Sequence, residues 1–293
     1  MFTAMGHWFR LGDLELLVVS DGTIRQDAGA TFGLVPRVMW ERYTPDLDDK
    51  HRIPVGLNSL LVRSEGKTIL IDTGVGTKPV KAPGAMVIEE SGRLFENLRR
   101  EGVSRDEIDI VVNTHLHFDH CGGNTVIENG IPVPAFPRAR YFVSKSEWES
   151  ATNPNERTRG TYLLENFEPL QDASQVELVA GELEPATGVR LVPAPGHTEG
   201  HCVVELESGG QYGLCVGELS QIPVMLERLA WISAFDVLPL VSLSTKRRMM
   251  DWAVEKRALL ISVHAPFPGL GSLVAEEGGR RKWQETRENG ADL

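Results

Sequence analysis

The sequence predicts a layered α/β fold in which helices cover the faces of β-sheets. Three observations carry that expectation. Short apolar runs rich in Val, Ile and Leu recur along the 293-residue chain, many bounded by glycine or a charged turn. Segments with apolar residues at helical spacing fall between them. No low-complexity tract and no long Pro/Gly/Ser linker interrupts the pattern, so residues 1–293 read as one domain with two halves of similar style.

The elements follow in order. Residues 14–20 (LELLVVS), 59–63 (SLLVR) and 68–72 (TILID) read as strands, the last two joined through Ser64-Glu65-Gly66-Lys67. A Gly- and Pro-punctuated loop follows at 74–86 (GVGTKPVKAPGAM). In SGRLFENLRREG (91–102), Leu94, Phe95 and Leu98 fall at helical spacing. Ser104 with Glu107 resembles a capping box for one helical turn, and a strand at 108–112 follows. In the second half, 140–144 (RYFVS), 188–192 (GVRLV), 202–206 (CVVEL) and 212–216 (YGLCV) read as strands. Residues 244–257 (STKRRMMDWAVEKR) predict an amphipathic helix with Met249, Trp252, Ala253 and the stem of Lys256 on one face. Lys246, Arg247 and Arg248 read there as a solvated face. The helix leads into a strand at 258–263 (ALLISV).

Composition narrows the function. A hydrophobic fraction of 41% and a charged fraction of 24% are ordinary for a globular chain. The net charge of −11 argues against a nucleic-acid partner, which demands a basic face. Cys121, Cys202 and Cys215 are too few and scattered for a disulfide framework and suit a reducing compartment. The amino terminus lacks the pattern of a signal peptide, and no run reaches membrane-spanning length. The expectation is a cytoplasmic protein acting on a small molecule, away from membranes, with a homodimer compatible with its apolar loops.

The stretch THLHFDHCGGN (114–124) concentrates the chemistry. His115, His117, Asp119 and His120 follow an apolar strand, and in an extended chain the first three would share one side. The turn beginning at His120 and Cys121 would swing His120 round. Imidazole and carboxylate donors suit a borderline divalent ion such as zinc, and crowding them without one leaves costly unpaired groups. Further donors lie downstream, again just past strands: His197 in PAPGHTEGH, Glu218 in VGEL and His264 in VHAPFPG. Five of the eight histidines fall in this constellation. Asp72 in ILIDTG is a candidate to orient a ligand imidazole or to stabilise its own turn. His201 and Cys121 read as structural, and His7 and His51 as surface residues.

HxHxDH, PGHTxGH, a strand-end acid and a late strand-end histidine, with ILIDTG upstream, resemble the metallo-β-lactamase superfamily. THLHFDHCGGN, FPG near the end and FGLVPRVMWERYTPD (32–46) are most similar to its lactonase and organophosphate-hydrolase-like branch. The resemblance implies a four-layer αββα sandwich with two mixed sheets flanked by helices. It implies His115, His117 and His197 on one metal and Asp119, His120 and His264 on a second. Glu218 stands where the family has a bridging aspartate; one methylene longer, it either bridges from further back or binds one ion only. The ions implied are two divalent metals, zinc first, with iron or manganese as alternatives.

That resemblance implies hydrolysis of an ester or lactone of a small hydrophobic substrate by a metal-bridging hydroxide. Asp119 would be both ligand and catalytic proton carrier. Alternatives on the same fold are an iron-dependent dioxygenase and a phosphoesterase or organophosphate hydrolase. A nuclease is disfavoured by charge, and a sensor that has lost its second metal would show fewer than two ions per chain. Two apolar stretches, 32–40 (FGLVPRVMW) and 222–235 (IPVMLERLAWISAF), are candidates to wall the cleft, the second through Met225, Leu226 and Trp231.

Overall fold

The computed structural model describes residues 6–81 and 86–286. Residues 1–5 of the expected leaderless terminus and residues 82–85 of the expected 74–86 loop lie outside the described residues. The amino-terminal half builds one mixed sheet from β1 (Gly6–Leu11), β2 (Leu14–Asp27), β3 (Arg52–Ser64), β4 (Lys67–Ile71), β5 (Val87–Glu90) and β6 (Ile110–Val112). A small hairpin of β7 (Thr125–Glu128) and β8 (Ile131–Pro134) intervenes before β9 (Arg140–Ser144) and β10 (Val176–Val179) complete that sheet. The second sheet takes β11 (Leu183–Ala186), β12 (Val189–Pro193), β13 (Cys202–Ser208), β14 (Gln211–Cys215), β15 (Leu259–Ile261), β16 (Leu270–Glu276) and β17 (Arg280–Glu285) in chain order. Helices are α1 (Ala28–Phe32), α2 (Arg37–Trp40), α3 (Leu94–Arg100), α4 (Phe118–Cys121), α5 (Lys145–Thr152), α6 (Glu168–Asp172), α7 (Val224–Glu227) and α8 (Pro239–Lys256).

Strand alternation explains the layering. Successive side chains on a strand point to opposite faces, and here both faces are apolar. Leu16, Val18, Leu60, Val62, Ile69 and Ile71 of the first sheet meet Val204, Leu206, Cys215 and Ile261 of the second, forming the inner core. The intervening Leu17, Leu61, Leu70 and Val111 face outward beneath Leu94 and Leu98 of α3, Trp148 of α5 and Leu170 of α6. On the far side, Val203, Leu214 and Leu260 lie beneath Met249, Met250 and Ala253 of α8. Helix, sheet, sheet, helix is the four-layer αββα sandwich expected. Each fully buried Leu, Val or Ile contributes roughly 1.5–3 kcal/mol, so the inner seam is the main source of cohesion.

Several expectations need correction. Strands β2 and β3 run well beyond 14–20 and 59–63, because polar residues near the site, including Ser20, Asp21 and Asn58, are buried with partners. Helix α8 begins at Pro239, which suits the first turn where no N–H is needed. Its buried face is Ser242, Thr245, Lys246, Met249, Met250 and Ala253; Lys256 instead lies over the Tyr212 ring at 4.9 Å. Lys246 is therefore not part of a solvated face: it is 1% exposed, and its Nζ donates to the Trp231 carbonyl at 2.6 Å. The stretch 32–40, a candidate to wall the cleft, contains α2 and turns Phe32 and Trp40 into a packed cluster, their rings stacked at 4.8 Å. His51 is exposed, but His7 is half-buried. Among the described residues, no helix is long and apolar enough to cross a membrane.

Candidate metal centre

Strand β6 and strands β12, β14 and β15 deliver the candidate donors. The latter three run in the same direction, since β13 is antiparallel to both β12 and β14 while β14 and β15 are parallel. Their carboxyl ends therefore open on one edge, where His197, Glu218 and His264 lie a few residues past β12, β14 and β15. His115 and His117 follow β6 in extended chain, but α4 starts at Phe118, so Asp119 and His120 come from a helical turn. Sequence alternation placed Asp119 beside His115 and His117; the earlier turn gives it to the other group. Gly122 and Gly123 make the turn feasible, since a Cβ on Gly122 would lie 2.0 Å from the Val75 carbonyl oxygen.

The donors fall into two clusters, His115, His117 and His197, and Asp119, His120, Glu218 and His264. Within each, the candidate ligand atoms lie within 4.8 Å of one another. In the first, His197 Nε2 is 3.0 Å from His117 Nδ1. In the second, His120 Nε2 is 3.2 Å from His264 Nε2, and Glu218 Oε1 is 3.3 Å from the former and 2.5 Å from the latter. Asp119 Oδ2 stands 3.8 Å from His264 Nε2. Glu218 thus joins the second cluster, its other oxygen accepting from Gln221 Nε2 at 2.6 Å.

The outer ring nitrogens explain why the inner ones are free to ligate. His120 Nδ1 lies 2.8 Å from Asp72, His197 Nδ1 3.0 Å from Asp236, and His264 Nδ1 2.7 Å from the Gly56 carbonyl. A neutral imidazole that donates outward from Nδ1 keeps its Nε2 lone pair facing inward. His115 Nε2 is buried with no hydrogen-bond partner at all. A buried ring nitrogen without a hydrogen-bond partner, in a cluster of three imidazole donors, fits a divalent ion. The donor set is that of zinc or a neighbouring first-row metal.

Electrostatics divide the clusters. Burial, reinforced by the surrounding imidazoles, holds His115 and His117 well below the usual histidine range, so both are neutral. For His120, burial opposes the charge, but Asp72 and Glu218 outweigh it and raise its pKa well above the ordinary value. Burial likewise opposes charge on His264, and Glu218 outweighs it. Burial would raise Glu218, yet His264 and His197 bring it well below the usual carboxylate range. His197 is raised against its burial by Glu218 and Asp236.

The remaining candidates resolve in detail. Asp72 accepts from Thr114 N–H and O–H at 2.8 and 2.7 Å as well as facing His120, so it serves turn and imidazole together. His201 is structural: Nδ1 donates to the Ala194 carbonyl, Nε2 accepts from Glu218 N–H at 2.9 Å, and burial lowers its pKa to about 4. Cys121 is fully buried, with its thiol against the Leu116 carbonyl. Asp236, Gln221 and a fully buried Glu147 were missed, since neither ISAFD, LSQIP nor SKSEWES carries a motif.

A cavity of about 490 Å³ opens over the donors. His117, Asp119, His197 and Glu218 are on its wall, with Phe118, Met86, Ala234 and Phe235 supplying apolar surface. Met225, Leu226 and Trp231 are not among its lining residues. They are buried in the packed clusters behind it, and Ala234 and Phe235 of the same stretch, with Val237 just beyond it, take their place. Arg157 reaches from the opposite rim to the carbonyls of Ala234 and Asp236 at 2.7 and 3.1 Å.

Comparison with known proteins bears on the family and the fold. Residues 52–280 match the family model of the metallo-beta-lactamase superfamily. The N-acyl homoserine lactonase AiiA of Bacillus thuringiensis subsp. kurstaki is 26% identical over 217 residues, spanning 70% of this chain and 79% of that protein. A probable metal-dependent hydrolase from Staphylococcus aureus superposes with a TM-score of 0.85 at 23% identity, covering 94% of this chain and 99% of that one. AidC, a dizinc quorum-quenching lactonase solved with the product N-hexanoyl-L-homoserine, superposes with a TM-score of 0.81 at 23% identity over 98% and 100% of the two chains.

Proposed function

The chain belongs to the metallo-β-lactamase superfamily, and from that premise we propose that it is a metal-dependent hydrolase cleaving an ester or lactone of a small hydrophobic substrate. The observation that carries this reading is the pairing of two donor clusters at the floor of a largely apolar cavity. His115, His117 and His197 would hold one divalent ion, and Asp119, His120, Glu218 and His264 the other, with zinc the first choice. The chemistry such ions would supply is a coordinated water of lowered pKa and positive charge for the scissile carbonyl oxygen. Residues 1–293 act in this reading as a single domain, and the partner is a small molecule.

The chain's own residues do the rest. Asp119 lies on the cavity wall beside the donors, where its carboxylate can carry a proton from the attacking water to the leaving alkoxide. Phe118, Met86 and Phe235 receive the apolar acyl group and exclude bulk water. Glu218 Oε1 would serve the second ion, and Gln221 holds Oε2, which favours a one-ion role over a bridge. The test is a panel of lactones, aryl esters, thioesters, phosphotriesters and β-lactams on metal-analysed protein. Chelator-sensitive turnover of lactones or esters, rising with acyl length, is the expected result. Bound iron with oxygen consumption and no hydrolysis would defeat it.

A further inference from the structure

We propose that Glu147 is a positioning residue for the first cluster, one buried carboxylate that sets the mutual placement of His115, His117 and His197. It sits on α5, outside every motif discussed above, and is 0% exposed. Its Oε1 accepts the Leu116 N–H at 2.9 Å, and Leu116 lies between His115 and His117. The same oxygen accepts the Tyr162 hydroxyl at 3.1 Å, and the Tyr162 ring lies 5.0 Å from that of His117. Oε2 accepts the hydroxyl of Thr198, the residue after His197. A single side chain therefore touches the backbone between two donors, a ring packed on the second, and the neighbour of the third.

Two further facts set this carboxylate apart from an ordinary structural acid. Its hydrogen-bond partners are a backbone N–H and two hydroxyls, with no Lys or Arg ion pair among the described residues, and burial raises its pKa, so a charge there is costly unless something offsets it. The first cluster is its natural offset, because three imidazoles bring no negative charge and leave the charge of a dication uncompensated within the donor set. The approach is also built in. Gly200 of PGHTEGH presses against the start of α5, where a Cβ would stand 2.0 Å from the Glu147 nitrogen. Helix α5 and the His197 loop are thus locked together with the carboxylate between them.

This inference rests on the metal reading above, and the experiment separates the two failures. Cobalt(II) is titrated into the full chain by calorimetry and visible absorption in two backgrounds, His264→Ala to cripple the second cluster and His197→Ala to cripple the first. In the His264→Ala background, Glu147→Gln is expected to weaken binding tenfold to a hundredfold and alter the cobalt spectrum, the usual scale for groups that orient ligands. In the His197→Ala background the change should stay below about threefold. Equal losses in both backgrounds would reduce Glu147 to a general structural role, and no loss in either would overturn the proposal. Thr198→Val, which removes one donor and keeps the shape, gives the same contrast in smaller measure should the glutamine variant fail to fold. Wild-type protein that binds no cobalt would overturn the metal reading itself, and this inference with it.

Discussion

The two donor clusters sit side by side yet are assembled on opposite electrostatic plans. The first has three imidazoles and no acid among its donors; its carboxylates, Asp236 and Glu147, stand behind the ligands. The second takes two acids, Asp119 and Glu218, into the donor set itself. Behind its histidines are Asp72 and a neutral carbonyl, that of Gly56. One cluster would hold a dication mainly by geometry and the other mainly by charge. The contrast teaches that neighbouring donor clusters need not share a design: the one without an acid among its donors keeps its carboxylates behind them.

The comparison can be broken by experiment. The largest expected effect is that of His117→Ala, which removes a neutral donor from a set of three. Activity should fall by more than the roughly hundredfold typical of changes behind the ligands, and metal analysis should find about one ion fewer per chain. Full activity and metal content in this variant would refute the assignment. Glu218→Asp comes next: shortening the side chain pulls it from His264 and Gln221, and affinity for the second ion should fall about tenfold by equilibrium dialysis. Undiminished affinity and activity would show instead that a bridging pose is within reach.

Smaller effects sharpen the contrast. Asp236→Asn should loosen only the first ion and Asp72→Asn only the second, each by about tenfold or more, since each faces one imidazole. Crossed effects in the same dialysis assay would show that the clusters are not separable. Acidification should act more gently. A protonated imidazole cannot ligate; both histidines of the second cluster, His120 and His264, are raised by Glu218 and other carboxylates, whereas in the first only His197 is raised and burial holds His115 and His117 low. As pH falls below neutral, metal retained after desalting should be lost first from the second cluster. Cobalt spectra recorded along the titration identify the departing ion.

Much of this architecture was legible in the sequence because its signals are local. The run LELLVVS displays apolar side chains on both faces, and the donors stand where such runs end. What escaped reading depends on distant partners. Asp236 acquires meaning only opposite His197, and Glu147 only where Leu116, Tyr162 and Thr198 converge. Lys246 looked like one of three exposed cations, yet the Trp231 carbonyl gives its ammonium a buried partner. Strand β17 carries RRKWQE, whose charge hides its β character until it pairs with β16. Met225, Leu226 and Trp231 were correctly seen as apolar, but which side of a loop faces a cavity is decided by packing.

Each cluster draws donors from beyond both sheets: His115, His117, Asp119 and His120 follow the first, and His197, Glu218 and His264 belong to the second. An ion in either place is consequently a rivet across the inner seam. A ligand present at a thousand times its dissociation constant stabilises the folded form by about 4 kcal/mol, and two would act together. The survival of this protein against proteases should then track the metal supply around it, with a half-life under limited proteolysis that shortens sharply when a chelator is added.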